Sequence, residues 1–142
     1  MLQMTIKKDP FLEFSQSQLF EGFLDQPTFQ YKRMFGGLAC YYNGLLVAVL
    51  MEEPGSHWNG FLVPTDHPYH ESLKKDISGL INHPVLRKWL YAPLNDESYE
   101  ASIDLVLRLI RKGDPRIGIV PGLKKKKRKE YGKNKKSKKN RR

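Results

Sequence analysis

Two apolar runs separated by an Asn-Gly pair form the clearest pattern in the chain. Residues 38–42 read Leu-Ala-Cys-Tyr-Tyr, and residues 45–51 read Leu-Leu-Val-Ala-Val-Leu-Met. The intervening Asn43-Gly44 is typical of a two-residue type I′ turn, because both central residues of that turn need a positive φ, which Asn and Gly tolerate best. The pattern therefore predicts a β-hairpin at the centre of a small sheet.

The position of the turn predicts how the two strands pair. Counting outward, Tyr42 faces Leu45 and Tyr41 faces Leu46. The pairs farther from the turn are Cys40 with Val47, Ala39 with Ala48, and Leu38 with Val49. Both faces of this hairpin are apolar, so we expect both faces of the sheet to be packed.

Before the hairpin, apolar residues at helical spacing predict a first helix. Ser15 and Gln18 have the spacing of a capping box at its start, and Pro27 ends it. The apolar stripe consists of Leu19, Phe20, Phe23 and Leu24. A strand over residues 29–34 and a sharp bend at Gly36-Gly37 then lead into the hairpin.

After the hairpin, the pattern predicts a turn over residues 52–56 and a third strand over residues 58–64. Apolar positions four residues apart then predict a helix of about ten residues that ends before Gly79. These positions are Tyr69, Leu73 and Ile77. Residues 80–94 fit either a strand over 89–92 or one helical turn over 84–90, and periodicity favours neither.

The last predicted helix begins with Asn95 or Asp96 as its cap and ends at Gly113. Its expected buried face consists of Ile103, Val106, Leu107 and Ile110. We expect the following segment, residues 114–121, to lie against the domain.

Together these elements predict an α+β fold, in which about three helices pack a small antiparallel sheet with a central type I′ hairpin. We expect residues 1–10 to form an N-terminal extension and residues 11–121 to form the domain. Residues 122–142 have too few apolar side chains to repay the entropy of ordering, and we expect them to form a disordered polybasic tail.

The charge distribution adds a functional prediction. The chain has a net charge of +10, and 13 of its 25 basic residues lie in residues 124–142, against Glu130 alone. Lysine clusters release counterions when they meet phosphates, so such a segment binds nucleic acid without reading its sequence, and Tyr131 could stack on a base. The predicted nucleic-acid-binding residues are Lys124, Lys125, Lys126, Lys127, Arg128, Lys129, Lys133, Lys135, Lys136, Lys138, Lys139, Arg141 and Arg142.

Alternative roles for this tail are binding to an anionic membrane surface, binding to an acidic protein, or keeping the chain soluble. No amphipathic anchor supports the membrane interpretation, and the longest wholly apolar run, Leu45–Met51, is far shorter than a membrane span. Residues 1–10 do not resemble a signal peptide. We therefore expect a cytoplasmic protein with no membrane partner.

The side chains that could carry chemistry do not complete a known site. His57, His67, His70 and His83 are the four histidines. They suggest a metal or general-base site, yet no neighbouring side chain completes a ligand pattern. Asp66 and Glu71 could act as an acid/base pair, but no activated nucleophile accompanies them. Cys40 lies mid-strand, where a buried thiol is the simpler interpretation. We expect no metal, no cofactor and no enzymatic activity.

A family resemblance comes from the stretch that contains the hairpin. Arg33-Met34-Phe35-Gly36-Gly37, the aromatic strand, Asn43-Gly44 and the second apolar strand resemble the N-terminal domain of the TfoX/Sxy competence regulators, over about residues 33–51. That α+β domain is similar to the MmcQ/YjbR group, whose members are often described as DNA-binding. Full-length regulators of the family have a second, helical domain, whereas this chain continues into lysines.

Arg33, Gly36 and Gly37 within this stretch form a candidate anion site, because a guanidinium and exposed backbone amides can bind a phosphate. The alternative is a structural bend with Arg33 paired to a carboxylate. Overall, we expect a non-enzymatic, nucleic-acid-associated regulatory protein. A protein–protein interaction adaptor with a localising or solubilising tail is the alternative, and a small enzyme that uses the His57–His70 segment is a distant third.

Overall fold

The computed structural model describes residues 9–34 and 36–121. Its described part contains a six-stranded antiparallel sheet with the order β1-β2-β3-β4-β6-β5. The strands are β1 (Gln30–Met34), β2 (Gly37–Tyr42), β3 (Leu45–Met51), β4 (Gly60–Val63), β5 (Ile81–Asn82) and β6 (Leu90–Pro93). With the helices below, this architecture confirms the predicted α+β fold.

Three α-helices and two 3₁₀ helices accompany the sheet in these residues. The α-helices are α1 (Pro10–Glu13), α2 (His70–Asp76) and α3 (Tyr99–Lys112), and the 3₁₀ helices are Ser15–Phe23 and His67–Tyr69. The second 3₁₀ helix continues directly into α2, so together they form the helix predicted before Gly79. Residues 90–93 form a strand, which settles the ambiguity over residues 80–94.

The hairpin turn has the predicted conformation. Asn43 has φ of 53° and Gly44 has φ of 82°, both in the left-handed region that a type I′ turn requires. Tyr42 pairs with Leu45 and Tyr41 with Leu46, as the position of the turn predicted.

The predicted pairing beyond Tyr41 is wrong by one residue. A β-bulge shifts the register, so that Cys40 pairs with Ala48 rather than with Val47. Val47 and Ala48 both face the helices, which is the arrangement that an extra residue in one strand produces. The remaining corrected pairs are Ala39 with Val49 and Leu38 with Leu50. An apolar run on both faces does not reveal such a bulge, because every register places apolar residues on both sides.

Replacing Gly44 with Val is expected to destabilise the domain by roughly 1 to 3 kcal/mol, because a β-branched residue is strained at positive φ. A Cβ at this position meets no other atom within 4 Å, so the cost would come from backbone strain alone. Thermal unfolding should show a melting temperature several degrees lower. Gly44→Asn is the matched control, since Asn tolerates this conformation, and its melting temperature should fall much less. Equal melting curves for the Val variant and the parent chain would contradict the turn type.

The segment predicted as the first α-helix is instead the 3₁₀ helix Ser15–Phe23, and the predicted capping box is wrong. The Ser15 hydroxyl donates to the Glu52 carboxylate at 3.0 Å, and the backbone N–H groups of Ser15 and Gln16 donate to it at 3.0 and 2.6 Å. A carboxylate is a stronger acceptor than the side-chain oxygen of a capping box, and its charge suits a helix N-terminus. A residue distant in sequence therefore caps this helix.

The helices cover one face of the sheet, which we call the helix face. Phe20 and Phe23 are fully buried there, and the Phe20 ring lies 5.4 Å from Phe29 and 6.1 Å from Phe61 between centroids. From α3, the residues that reach this core are Tyr99, Ile103, Val106 and Ile110. The predicted Leu107 is only partly buried at its margin.

The second face of the sheet has its own core, as the apolar pattern predicted. Its buried members are Ala39, Leu46, Val49, Leu62, Trp89 and Tyr91. The covering residues include Leu86 and Ile119, which come from loops rather than from helices. Leu46 and Ile119 exchange backbone hydrogen bonds of 2.9 and 3.1 Å, so the segment over residues 114–121 lies against the domain as predicted.

The start of α3 differs from the prediction, and its end agrees with it. Ser98 occupies the N-cap position in place of the predicted Asn95 or Asp96, and Asp96 instead accepts a hydrogen bond from the Ser98 backbone N–H at 3.0 Å. The hydrogen bond from the Ser98 hydroxyl lowers the pKa of Asp96, and the bond from the Ser98 backbone N–H adds to this effect. Gly113 ends the helix with φ of 77°, as predicted.

Candidate nucleic-acid interface

All thirteen predicted binding residues of the tail, Lys124 to Arg142, lie outside the described residues. The part of the chain that the structure does describe carries ten basic and fourteen acidic residues. Its last described residue, Pro121, lines an open groove on the sheet. In the sequence, the basic segment begins three residues after Pro121, at Lys124.

The groove lies beside β1 and the hairpin turn and has a volume of about 510 Å³. Its lining residues are Pro27, Thr28, Gln30, Tyr31, Lys32, Tyr41, Gly44 and Pro121. Lys32 is the one charged residue among them and none is acidic. The groove therefore has a positive local charge on a domain whose described residues are acidic on balance.

Strand pairing brings Lys32 and Tyr41 together. Lys32 pairs with Ala39 across β1 and β2, which places it on the second face beside Tyr41. The Lys32 ammonium lies 5.7 Å from the centroid of the Tyr41 ring, within the range of a cation–π contact. Burial, followed by nearby Cys40, raises the pKa of the Tyr41 hydroxyl, so this ring stays neutral at physiological pH.

Tyr31 contributes to the groove in a different way. Its ring turns to the helix face, 5.0 Å from Phe11, and its hydroxyl donates to Asp9 at 3.1 Å. The Tyr41 ring is thus the aromatic group of the groove lining that the second face presents.

The candidate anion site at Arg33, Gly36 and Gly37 is surrounded by carboxylates. The Arg33 guanidinium forms an ion pair of 2.5 Å with Glu13. The Glu53 carboxylate lies against Gly36, where it would meet any added Cβ. Gly36 itself has φ of 81°, which a glycine adopts at little cost. This geometry favours the alternative interpretation, a structural bend with a paired arginine, because bound phosphate would face Glu53.

Two of the four histidines, His83 and His70, contact the backbone at separate places. His83 Nδ1 accepts hydrogen bonds from the backbone N–H groups of Val85 and Leu86 at 3.0 and 2.9 Å, which fixes the loop before β6. Burial lowers the pKa of His83, which keeps that nitrogen available as an acceptor. His70 Nε2 lies 3.0 Å from the carbonyl of Lys88, and its ring lies 4.7 Å from that of His67.

The other candidate chemical groups also lie apart. Cys40 is fully buried in the helix-face core, and burial raises its pKa to about 12, so the neutral thiol that we predicted is favoured. Asp66 is exposed, and the Glu71 side chain is 93% exposed. Among residues 9–34 and 36–121, no three His, Cys, Asp or Glu side chains lie close enough to hold a metal ion.

Sequence reasoning missed an aromatic cluster around Trp58. This residue is 43% exposed, and its ring lies 5.6 Å from His83 and 6.4 Å from His57. The Asn59 side chain holds the loop through two hydrogen bonds to the backbone of Glu53, at 2.7 and 2.8 Å. The signal in the sequence was a tryptophan directly after a turn, which we assigned to a strand instead.

Comparisons with protein-family models, curated proteins and solved structures find no match to the chain. In the ranges that the structure describes, none of the helices has the length and apolar character needed to cross a bilayer.

Proposed function

We propose that this chain is a non-enzymatic, nucleic-acid-associated regulatory protein that binds phosphates through its lysine-rich C-terminal segment. The observation that carries the proposal is the separation of charge along the chain. Residues 124–142 hold 13 of the 25 basic residues, whereas the described domain holds ten basic against fourteen acidic. Such a concentration gives sequence-independent affinity for a polyanion through counterion release.

The domain would position this segment rather than supply most of the affinity. Its described surface is acidic on balance, and Arg33 is already paired with Glu13. The resemblance of residues 33–51 to the TfoX/Sxy N-terminal domain supports a regulatory role, and we propose the cytoplasm as its location.

Crosslinking in cells tests the proposal directly. Ultraviolet irradiation followed by denaturing purification of the full chain is expected to recover covalently attached DNA or RNA. A variant in which the thirteen basic tail residues are replaced by Gln keeps the length of the chain and is the matched control. Recovery from the Gln variant should fall to background. Equal recovery from both chains would contradict binding through the tail.

The second candidate, a protein-interaction adaptor, is favoured by the surface around Trp58. Tryptophan is enriched among residues that dominate protein interfaces. Trp58 is 43% exposed and lies on a loop that the Asn59 side chain holds by hydrogen bonds. If crosslinking recovers protein without nucleic acid, and Trp58→Ala removes that protein, the adaptor function replaces the nucleic-acid proposal.

A further inference from the structure

Three exposed apolar side chains lie together where the second face of the sheet ends at β5. Seven large apolar side chains are exposed in the part of the chain that the structure describes, and three of them, Trp58, Ile81 and Val85, surround His83. The Trp58 ring lies 5.6 Å from the His83 ring, and His83 Nδ1 accepts the Val85 N–H at 3.0 Å. Ile81 pairs with Tyr91, whose ring lies 4.9 Å from that of His83. We call the three exposed side chains the Trp58 patch.

The Trp58 patch has a rigid support. His83 Nδ1 accepts a second backbone N–H, that of Leu86, and so fixes the turn that carries Val85. The Tyr91 hydroxyl donates to the Asn59 carbonyl at 2.7 Å, which connects the loop of Trp58 to β6. Side chains that are held in place before binding lose less conformational entropy when a partner binds. Apolar side chains that are grouped in this way, rather than scattered, are typical of an interaction surface.

The charges next to the patch are basic, although the described residues as a whole hold ten basic and fourteen acidic side chains. The segment over residues 77–94 carries two of the three patch residues and contains Arg87 and Lys88, both exposed, but no Asp or Glu. Arg87 is two residues beyond Val85, so their Cα atoms lie within about 7 Å of each other. Arg87 forms no ion pair with any described residue.

The nearest acidic residues before Trp58 in the chain are directed elsewhere. The Glu52 carboxylate caps the 3₁₀ helix Ser15–Phe23, and the Glu53 carboxylate lies against Gly36. An arginine beside an apolar patch therefore attracts a partner that combines an apolar side chain with a negative charge.

The composition of the patch favours a protein partner over nucleic acid. Bases stack on the flat face of an aromatic ring, and two of the three patch side chains, Ile81 and Val85, are aliphatic. Aliphatic side chains instead pack against the apolar side chains of another protein. A few central residues carry most of the binding energy in such contacts, so a short segment with one apolar anchor is enough to occupy the patch.

We propose that the Trp58 patch binds a short acidic segment of a partner protein, which places an apolar side chain against Trp58, Ile81 and Val85 and a carboxylate beside Arg87. This inference rests on the second candidate function, whose partner it describes by its chemistry. It does not depend on nucleic-acid binding through the lysine-rich segment, so either proposal can fail alone.

Selection from a library of random peptides tests the inference on the full chain. The library is first depleted on the Trp58→Ala chain, which removes peptides that bind elsewhere, including those that bind the lysine-rich segment. Peptides then selected on the parent chain are expected to combine Asp or Glu with an aliphatic or aromatic residue. Trp58 is 43% exposed, so the Ala variant should keep its fold, and its melting curve checks this.

The affinities of the selected peptides for point variants test the individual contacts. Trp58→Ala should lower the affinity roughly tenfold or more, and Val85→Ser, at a residue that is 67% exposed, roughly threefold to tenfold. Leu105→Ser is the matched control and should bind as the parent chain does, because Leu105 is exposed on α3, which covers the opposite face of the sheet. Arg87→Glu should weaken binding of the acidic peptides and strengthen binding of the same peptides with Lys at their acidic positions.

Three results would overturn the inference. If no selected peptide depends on Trp58 and Val85, the patch does not bind such a segment, while the nucleic-acid proposal is unaffected. If the selected peptides bind Arg87→Glu as tightly as the parent chain, the partner is not acidic. If the selection fails and Trp58→Ala instead weakens self-association of the full chain or its binding to an oligothymidine, the patch is an interface between copies or a nucleic-acid surface.

Discussion

Removing residues 124–142 is expected to lower the affinity for DNA and RNA by roughly a hundredfold or more at low salt, since under the proposed function these residues supply most of the phosphate contacts. The melting temperature should stay the same, because every residue of the two described cores precedes residue 121. Fluorescence anisotropy with labelled duplexes of unrelated sequence measures the affinity. The parent chain should bind these duplexes about equally.

The matched control for this truncation is the full-length variant with Gln at the thirteen basic tail positions. It separates loss of charge from loss of chain length, and we expect it to bind as weakly as the truncated chain. If the truncated chain retains its affinity, the domain itself binds nucleic acid, and Lys32 becomes the first residue to test.

Replacing Phe20 with Ala is expected to destabilise the domain by about 3 to 5 kcal/mol, the usual cost of removing a buried phenylalanine ring. Phe20 is fully buried and its ring packs on those of Phe23, Phe29 and Phe61. Phe20 thereby connects the 3₁₀ helix to the residue before β1 and to β4. Urea unfolding measures the free energy, and a loss of this size would exhaust much of the stability of a small domain.

Leu24→Ala is the control for Phe20→Ala, since Leu24 follows the same 3₁₀ helix and is 48% exposed. It should change the free energy of unfolding by no more than about 0.5 kcal/mol. Equal effects of the two substitutions would mean that the 3₁₀ helix does not pack on the sheet as described.

The local parts of the fold were predictable because short stretches determine them. Asn43-Gly44 has few alternatives to a type I′ turn, and Gly113 ends a helix by adopting a conformation that other residues avoid. The helix that ends at Asp76 and the strand before the hairpin likewise followed from periodicity and turn residues.

The parts that depend on distant residues were not predictable. Glu52 replaces the expected capping box, although it is far from Ser15 in sequence and adjacent only once β3 has formed. The bulge at Val47 leaves the apolar pattern unchanged, so nothing in the sequence marks it. Local patterns describe turns and periodicity, whereas these features arise from tertiary packing.

In the candidate site, too, one part follows from the sequence and another part depends on tertiary packing. The basic segment is visible from composition alone, because charge concentration needs no structure to be recognised. The groove could not be predicted in this way, because it depends on the pairing of β1 with β2, which places Lys32 beside Tyr41. The position of Pro121 at the same groove depends on the path of the chain after α3.

The salt dependence of binding tests the central claim most directly, because it counts the phosphates that the protein neutralises. If roughly six to ten basic residues meet phosphates, a plot of log K against log salt concentration should have a slope of about −5 to −9 for the full chain. Removing residues 124–142 should reduce that slope to near zero. A steep slope that the truncated chain retains, or a shallow slope for the full chain, would contradict binding through the lysine-rich segment.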